Sequence, residues 1–424
     1  MNRCVLVVGG GIAGIEVALA LSELHCEITL VEHGAFLGGN ITELFSLHGV
    51  EQSPAEWIGR KIAAIHANPN SRVLLKAVVR EVTGNVGNFH VRIDSPGETH
   101  EGDFGAIVIA TGFETDGVSA DADSLVGAIS YAELEKKLAT IACQETQVGR
   151  TRSAFPKNVC FVVDSDGIGL ATHSAAALKN AVAIQKIASR NVFICCEDVQ
   201  VAGEGLESLY REARAHGAVI LKSDGEKPRL AASDAGFSVT VRDTSLSVPG
   251  QHNGVVEVHC DLLVLPQRIV PRQDTPSLQK LLRVDVDSSN YFQQNNVWLK
   301  PTASNRKGIF FVGACRGSFD VSDILDEARA TALEVYNSIA RGEAGISGDR
   351  VSVDAAKCAL CLTCLRSCPH GAVEIVFDDK VSGRTAHIVS SACYACGICV
   401  AECPAKAIHM VVPDEEQEVA VAAH

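Results

Sequence analysis

Apolar runs interrupted by glycine set the pattern of the first third of the chain. Residues 4–8 (CVLVV) are unbroken hydrophobics, glycines fill positions 9–11, and an amphipathic stretch leads to a second apolar run, EITLVE. Buried strand, tight turn, helix and strand in that order predict one complete βαβ unit. FHVRID and FGAIVIATG read as later strands, the second with the continuous apolar pattern of a strand covered on both faces. From about residue 155 the pattern restarts: NVCFVVD, the helix-like ATHSAAALKNAVAIQKIAS, the strand NVFICC, then LESLYREARAHGAVIL.

HCDLLVLP and GIFFVGA return to the style of the first module. The expected architecture is therefore a discontinuous first domain, residues 1–150 and 256–345, with an αβ domain inserted at 151–255. ARGEAGISGDR, with three glycines and no apolar pattern, reads as a linker. Beyond it, residues 350–413 form a separate cysteine-rich module, and 414–424 a loose tail.

The whole-chain numbers narrow the function classes. With 424 residues, 47% hydrophobic and 21% charged, the chain is a globular protein of several domains. Its charge, 37 basic against 51 acidic side chains for a net of −14, comes with no basic block, which argues against nucleic acid as a partner. CVLVVGGGIAGIEVALAL has the length of a membrane span, but its glycines and Glu16 break it. With no cleavage-site pattern behind it, a secretory signal is not expected, and the expected location is cytoplasmic, with membrane association only through partner subunits.

Gly9, Gly11 and Gly14 form G-x-G-x-x-G between strand and helix. The first allows the tight turn, the second lets backbone approach a pyrophosphate, and the third permits close helix–strand packing. The helix N-terminus then offers unpaired N–H groups to phosphates. Glu32, eighteen residues after Gly14, is placed to accept hydrogen bonds from a ribose 2′-hydroxyl and to repel a 2′-phosphate. The candidate dinucleotide contacts are Gly9, Gly11, Ile12, Ala13, Gly14, Glu32, His33, Gly38, Gly39, Val79, Ala110, Thr111, Gly112, Gly313, Ala314, Asp320 and Val321. The Gly38–Gly39 pair, the Ala110–Gly112 ATG and GIFFVGACRG together resemble the two-dinucleotide-binding-domain flavoproteins, which implies FAD. In that class a late helix, here starting near Asp320, brings its N-terminus to the flavin ring. The middle module shows Gly167 and Gly169 without a third glycine and with two aspartates nearby, so a second, nicotinamide-binding site is not expected.

Two cysteine runs close the chain. CALCLTCLRSCPHGA places Cys358, Cys361, Cys364 and Cys368 at intervals of three, three and four, and CYACGICVAECPAKA repeats the spacing with Cys393, Cys396, Cys399 and Cys403, each run followed by proline. This is the bacterial ferredoxin pattern, in which the fourth cysteine serves the neighbouring cluster. It predicts two [4Fe-4S] clusters, one on Cys358, Cys361, Cys364 and Cys403, the other on Cys393, Cys396, Cys399 and Cys368. Structural zinc would use paired C-x-x-C elements but has no need of the third step or the proline. The spacer EIVFDDKVSGRTAHIVS reads as a hairpin that touches no ligand. The other eight cysteines (Cys4, Cys26, Cys143, Cys160, Cys195, Cys196, Cys260, Cys315) share no spacing and are expected as free, largely buried thiols.

Flavin chemistry handles electron pairs and clusters carry single electrons, so one chain with both reads as an oxidoreductase that converts between them. VVGGGIAGIEVAL, LVEHGAFLGG, ESLYREARAHGAVIL, GIFFVGACRGSFDVSDILDEARATA and the cysteine runs resemble the A subunits of heterodisulfide reductases and of the quinone-interacting membrane-bound oxidoreductase. The resemblance implies an FAD and iron–sulfur electron-transfer subunit whose partner subunits perform the substrate chemistry, with flavin and clusters close enough within the chain to exchange electrons. A self-sufficient NAD(P)H-dependent reductase is the alternative. Three departures stand out: no cysteine occurs between Cys26 and Cys143, Ser318, Phe319 and Asp320 stand where the family has Pro-Lys-Asp, and Pro266–Arg268 replaces a second ATG. The first implies that an additional cluster of the methanogenic members is absent, and the second removes a lysine beside the flavin.

Overall fold

A computed structural model describes residues 2–50, 52–118, 125–145, 155–163, 169–223, 225–233, 236–246, 254–340 and 351–411. The linker at 341–350 and the tail expected at 414–424 lie outside these residues, as do Asp164, Asp166 and Gly167.

The first unit is built on a five-stranded parallel sheet in the order Ile309–Phe311, Ala106–Ile109, Cys4–Val8, Glu27–Glu32, Ser71–Leu75. Its central strands, Ala106–Ile109 and, beyond Cys4, Cys4–Val8, are buried because helices Ile12–Glu23 and Val321–Ala340 cover one face. An antiparallel meander, Val78–Asn85, Asn88–Ser95 and Glu98–Phe104, contributes Phe89, Val91 and Ile93 to the other. Glu16, which interrupts the apolar pattern of the first helix, is buried at 5% exposure and neutralised by Lys61 at 2.6 Å and Arg329 at 3.1 Å. A buried charge is tolerated when paired in this way.

A second five-stranded parallel sheet has the order Val219–Lys222, Asn191–Cys196, Asn158–Val162, Leu262–Leu265, Ile129–Ser130. Two of these strands fall outside the segment expected for the inserted domain. Leu262–Leu265 reads by its style as part of the first module, and Ile129–Ser130 falls within the expected opening domain, yet both pair in the second sheet. Helix Tyr131–Glu145 packs in the second core through Leu134 and Leu138. The physical reason is that a strand buried on both faces reads the same whichever sheet receives it. The two units are joined by the antiparallel pair Phe113–Val118 and Gln267–Pro271.

The C-terminal module holds two short antiparallel pairs, Val351–Val353 with Ile408–Met410 and Val373–Asp378 with Gly383–Ile388, and two five-residue helices, Thr363–Ser367 and Ile398–Glu402. The second pair is the hairpin expected in the spacer. No described helix is long and apolar enough to cross a membrane.

Candidate cofactor sites

The glycine turn is tight for steric reasons. Gly9 sits at φ +113°, where an added Cβ would lie 2.3 Å from the Ala110 carbonyl oxygen, and a Cβ on Gly14 would lie 1.9 Å from the Gly9 oxygen. Gly11 differs: nothing lies within 4 Å of where its Cβ would be. The space is there for a group to approach the backbone, at the N-cap of the helix whose first turn holds buried Ile12, Ala13 and Gly14. Gly38 (φ +112°) donates its N–H to the Gly10 oxygen at 2.8 Å, and Gly39 (φ +57°) lies against Gly11. This brings the second glycine pair to the first.

Glu32 ends its strand with one carboxylate oxygen accepting from Gly10 N at 2.6 Å and the other from Gly34 N at 2.5 Å. Each oxygen keeps a further lone pair for a ribose hydroxyl. A cavity of about 230 Å³ opens here, lined by Gly9, Glu32, His33, Val79 and Thr111. The Thr111 hydroxyl is buried with no hydrogen-bond partner among the described residues, an orphan that a ligand oxygen would satisfy. Ala110 is buried and Gly112 sits at φ +76° with open space beside it.

A larger cleft, about 1320 Å³, lies between the two units. The first unit contributes Phe113, Phe319, Asp320 and Val321, and the second Tyr131, His173 and Lys179. Phe319 packs edge-on against Phe113 (5.4 Å) and Tyr291 (6.0 Å). Helix Val321–Ala340 begins here with its N-terminus partly spent: Asp320 Oδ1 accepts from Ser322 N at 2.9 Å and Ser322 Oγ at 2.8 Å. Burial, and then the Asp320 charge, push the Asp323 carboxyl above its usual range. Gly313, at φ +74° and 2.9 Å from Ala13 Cβ by its would-be Cβ, is followed by buried Ala314. Its N–H goes to Glu327 Oε1 at 2.7 Å, while Glu327 also clamps Arg316 through two bonds of 2.8 and 2.6 Å. Sequence reasoning passed over Arg272, which lines both cavities and is held by Asp274 and Glu114. Nothing in its local sequence marks it, since the chain brings it there through the connecting strand Gln267–Pro271.

In the C-terminal module the eight cysteines divide into two sets around two small cavities. Cys358, Cys361, Cys364 and Cys403 line one, and Cys368, Cys393, Cys396 and Cys399 the other. The fold thus carries the fourth cysteine of each run across to the other set. Burial, then the neighbouring Cys368, Cys393 and Cys396, push the Cys399 thiol up to about 11. Burial also acts on Cys358, yet hydrogen bonds from the Ala386 amide, Thr385 and Leu360 leave it below the usual thiol value. The hairpin therefore does touch a candidate ligand, because its second strand folds back over the first cysteine run. Of the other cysteines, Cys26, Cys160, Cys195, Cys196, Cys260 and Cys315 are buried and Cys4 is partly so, all as free thiols, while the Cys143 side chain lies outside the described residues.

The module is fixed to the first unit by a polar seam. Asn305 donates to the Pro369 oxygen at 2.7 Å, His370 Nδ1 meets the Asn305 oxygen at 2.7 Å, and Asn85 reaches Glu374 at 3.0 Å. Arg306, buried among the Leu282 and Gly84 oxygens, underlies Gly371. These seam residues sit where strand Ile309–Phe311 begins, whereas the glycine cradle sits where the sheet's strands end. From Gly308 to Gly313 the strand runs roughly 16 Å at about 3.3 Å per residue. Among the described residues, none that lines either cavity of the nucleotide end belongs to the seam. The seam thus attaches the cysteine module at the strand-start end of this sheet, while the glycine cradle lies where the strands end.

Comparison with known proteins agrees with both sites. Residues 357–407 match the 4Fe-4S dicluster domain family, and residues 3–144 the pyridine nucleotide-disulphide oxidoreductase family. The chain is similar along most of its length to A subunits of heterodisulfide reductases. The iron-sulfur A subunit of the CoB–CoM heterodisulfide reductase of Methanocaldococcus jannaschii is 26% identical, the match covering 89% of this chain and 71% of that protein. An equivalent iron-sulfur A subunit of Methanopyrus kandleri is 24% identical, with 88% and 70% covered. Among solved structures, the thioredoxin reductase of T. acidophilum superposes with a TM-score of 0.52 at 16% identity, over 79% of this chain and 99% of its own. That of Lactococcus lactis gives 0.51 at 14% identity, over 80% and 99%. These last two speak to the fold alone: a Rossmann-like oxidoreductase fold, which the iron–sulfur module follows. The chain is an oxidoreductase with flavin and 4Fe-4S sites.

Proposed function

We propose that this chain, an oxidoreductase similar to heterodisulfide reductase A subunits, holds one FAD and two [4Fe-4S] clusters as the electron-transfer component of a larger complex. Gly9, Gly11 and Gly14 would cradle the pyrophosphate, with Ile12, Ala13, Gly38 and Gly39 completing the turn. Glu32 would bind the adenosine ribose, with His33, Val79, Ala110, Thr111 and Gly112 around it. Gly313, Ala314, Asp320 and Val321 would line the flavin's approach. Bound FAD supplies exchange of electrons in pairs or singly, and each cluster carries one. The cysteines would hold the clusters as the two sets found around the cavities, Cys358, Cys361, Cys364 with Cys403, and Cys393, Cys396, Cys399 with Cys368.

The observation that carries this reading is the sorting of eight cysteines into two groups of four, each borrowing its fourth member from the other run. A single structural ion would not require that exchange. Partner subunits supply the substrate chemistry in this reading, as the relatives' names as subunits suggest. The full chain purified without oxygen is expected to carry one flavin and about eight iron atoms, the content of two cubane clusters. A chain with one cluster's worth of iron, or none, or without flavin absorbance, would defeat it.

A further inference from the structure

The two cysteine sets have the same spacing but different surroundings. Among the described residues, the cavity of the Cys358, Cys361, Cys364 and Cys403 set is lined by apolar side chains and Thr363, with no ionisable group besides the cysteines. The other set has His370 and Tyr394 in its wall, and both face the first unit. His370 Nδ1 meets the Asn305 oxygen at 2.7 Å, Tyr394 OH reaches the Ser304 oxygen at 3.4 Å, and the two rings lie 4.4 Å apart. Against them the first unit sets three basic side chains. Lys300 and Lys307 lie 5.9 and 5.1 Å from the centre of the Tyr394 ring, and Arg306 Nε is 3.5 Å from where a Cβ on Gly371 would be. Glu374, the module's carboxylate in the seam, takes a hydrogen bond from Asn85 at 3.0 Å.

Arg306 is the strongest of these charges because it is buried, at 6% exposure. Its guanidinium donates to the Leu282 and Gly84 oxygens at 2.7 and 3.0 Å and lies 5.7 Å from the centre of the Phe89 ring, and among the described residues no carboxylate pairs with it. Burial, then the Arg283 charge, lower its pKa to about 10, so it keeps its proton at neutral pH. A charge held this way is weakly screened by salt. Three residues of chain, at most about 11 Å when extended, separate Gly371 from Cys368, and Cys393 is the residue before Tyr394. A cluster gains one negative charge on reduction, so a nearby cation favours its reduced form. We propose that Arg306, with Lys300 and Lys307, raises the potential of the cluster on Cys368, Cys393, Cys396 and Cys399 above that of the other, so that an electron entering the module settles there. This rests on the function proposed above. In the exchange one electron leaves the cluster of the Cys358 set, which is oxidised, and reduces the cluster of the Cys393 set; no bond breaks and no proton moves.

The test is a dithionite titration of the full chain, purified without oxygen, with the reduced clusters followed by electron paramagnetic resonance. Cys361→Ser and Cys396→Ser identify which signal belongs to which set. Iron is counted first: wild type with one cluster's worth or none would defeat the proposed function, and this inference with it. With two clusters present, the signal altered by Cys396→Ser should appear at the higher potential. Arg306→Met should lower its midpoint by about 59 mV, the one-electron equivalent of a tenfold change in the reduction equilibrium, and leave the other signal in place. That order of effect is what a unit charge about 10 Å away exerts at an effective dielectric of about 20. Arg306→Lys, which keeps the charge, should titrate like wild type. If Arg306→Met does not fold, the double variant Lys300→Met, Lys307→Met makes the same test, with a smaller shift of the same sign. Four results would overturn the inference while leaving the proposed function standing: the Cys396 signal at the same or lower potential in wild type, unchanged midpoints in the folded variant, an equal shift of both signals, or the full shift in Arg306→Lys.

Discussion

At the scale of single residues, the glycines of the turn separate into two kinds that the sequence cannot tell apart. Gly14 has no room for a Cβ, which would lie 1.9 Å from a backbone oxygen, whereas Gly11 has open space. Gly14→Ala should therefore distort the turn and cost about 1–3 kcal/mol, the range for overpacking. Gly11→Ala should change stability by less than about 1 kcal/mol, since its φ of −76° suits alanine, and yet deplete flavin because the methyl fills the approach to the backbone. Urea midpoints and flavin absorbance on both variants check this; full flavin in Gly11→Ala would refute the cradle. Arg272 makes a second case. Shared by both cavities, it is the cation best placed for a phosphate between them, and Arg272→Gln should weaken flavin retention on the order of tenfold, the worth of a hydrogen bond to a charged group. Dialysis of the holoprotein against buffer, followed by flavin release, measures it. The motif residues were legible because their chemistry is local; Arg272 was not, because a distant strand delivers it.

At the scale of elements, the start of helix Tyr131–Glu145 shows how the second unit is held. Ser130 N donates to Glu133 Oε2 at 2.7 Å while Glu133 N donates to Ser130 Oγ at 3.2 Å, a reciprocal capping box. Ser130→Ala should cost about 1 kcal/mol. The backbone and side-chain hydrogen bonds from Ser130 lower the Glu133 pKa. A depressed carboxylate contributes stability above its unfolded pKa, and that contribution is lost as pH falls through the folded value. The gap between wild type and variant should thus hold from neutral pH to about 4.5 and narrow only below it, given an ordinary glutamate near 4.3, while the part due to Ser130 Oγ accepting from Glu133 N persists at every pH. Urea unfolding across that range reads it, and a gap that closed near pH 6 would point to a different group. The same element exposes the limit of pattern reading. The apolar runs are strands as their pattern predicts, but Leu262–Leu265 joins the second sheet because partner choice depends on which neighbour offers a free edge, and apolarity carries no information about that.

At the scale of the whole molecule, the division of labour between packing and metal differs along the chain. The flavoprotein units have extensive apolar cores, whereas the C-terminal module's core consists of Val351, Ala386, Ile388, Val373 and Ile408 together with Cys364 and Cys399. A domain of this size seldom buries enough apolar surface to fold by itself and depends on staples. The cysteine spacing made the ligand sets legible because ligand order is a local property. Where the module docks was not, since Asn305 and Pro369, 64 positions apart, meet only in the folded chain. Two consequences follow for one experiment. Stripping iron with a chelator and oxidant should unfold the module, because the sulfur sets then lose the cations that offset their crowding. The sheet-built units should keep their cooperative transition and their flavin, because the seam reaches only the strand-start end of the first sheet and none of its partners lines the cradle. Calorimetry should show the lower of two transitions vanish while the upper moves by no more than a few degrees, and simultaneous loss of both would mean that the module supports the nucleotide end through contacts other than these.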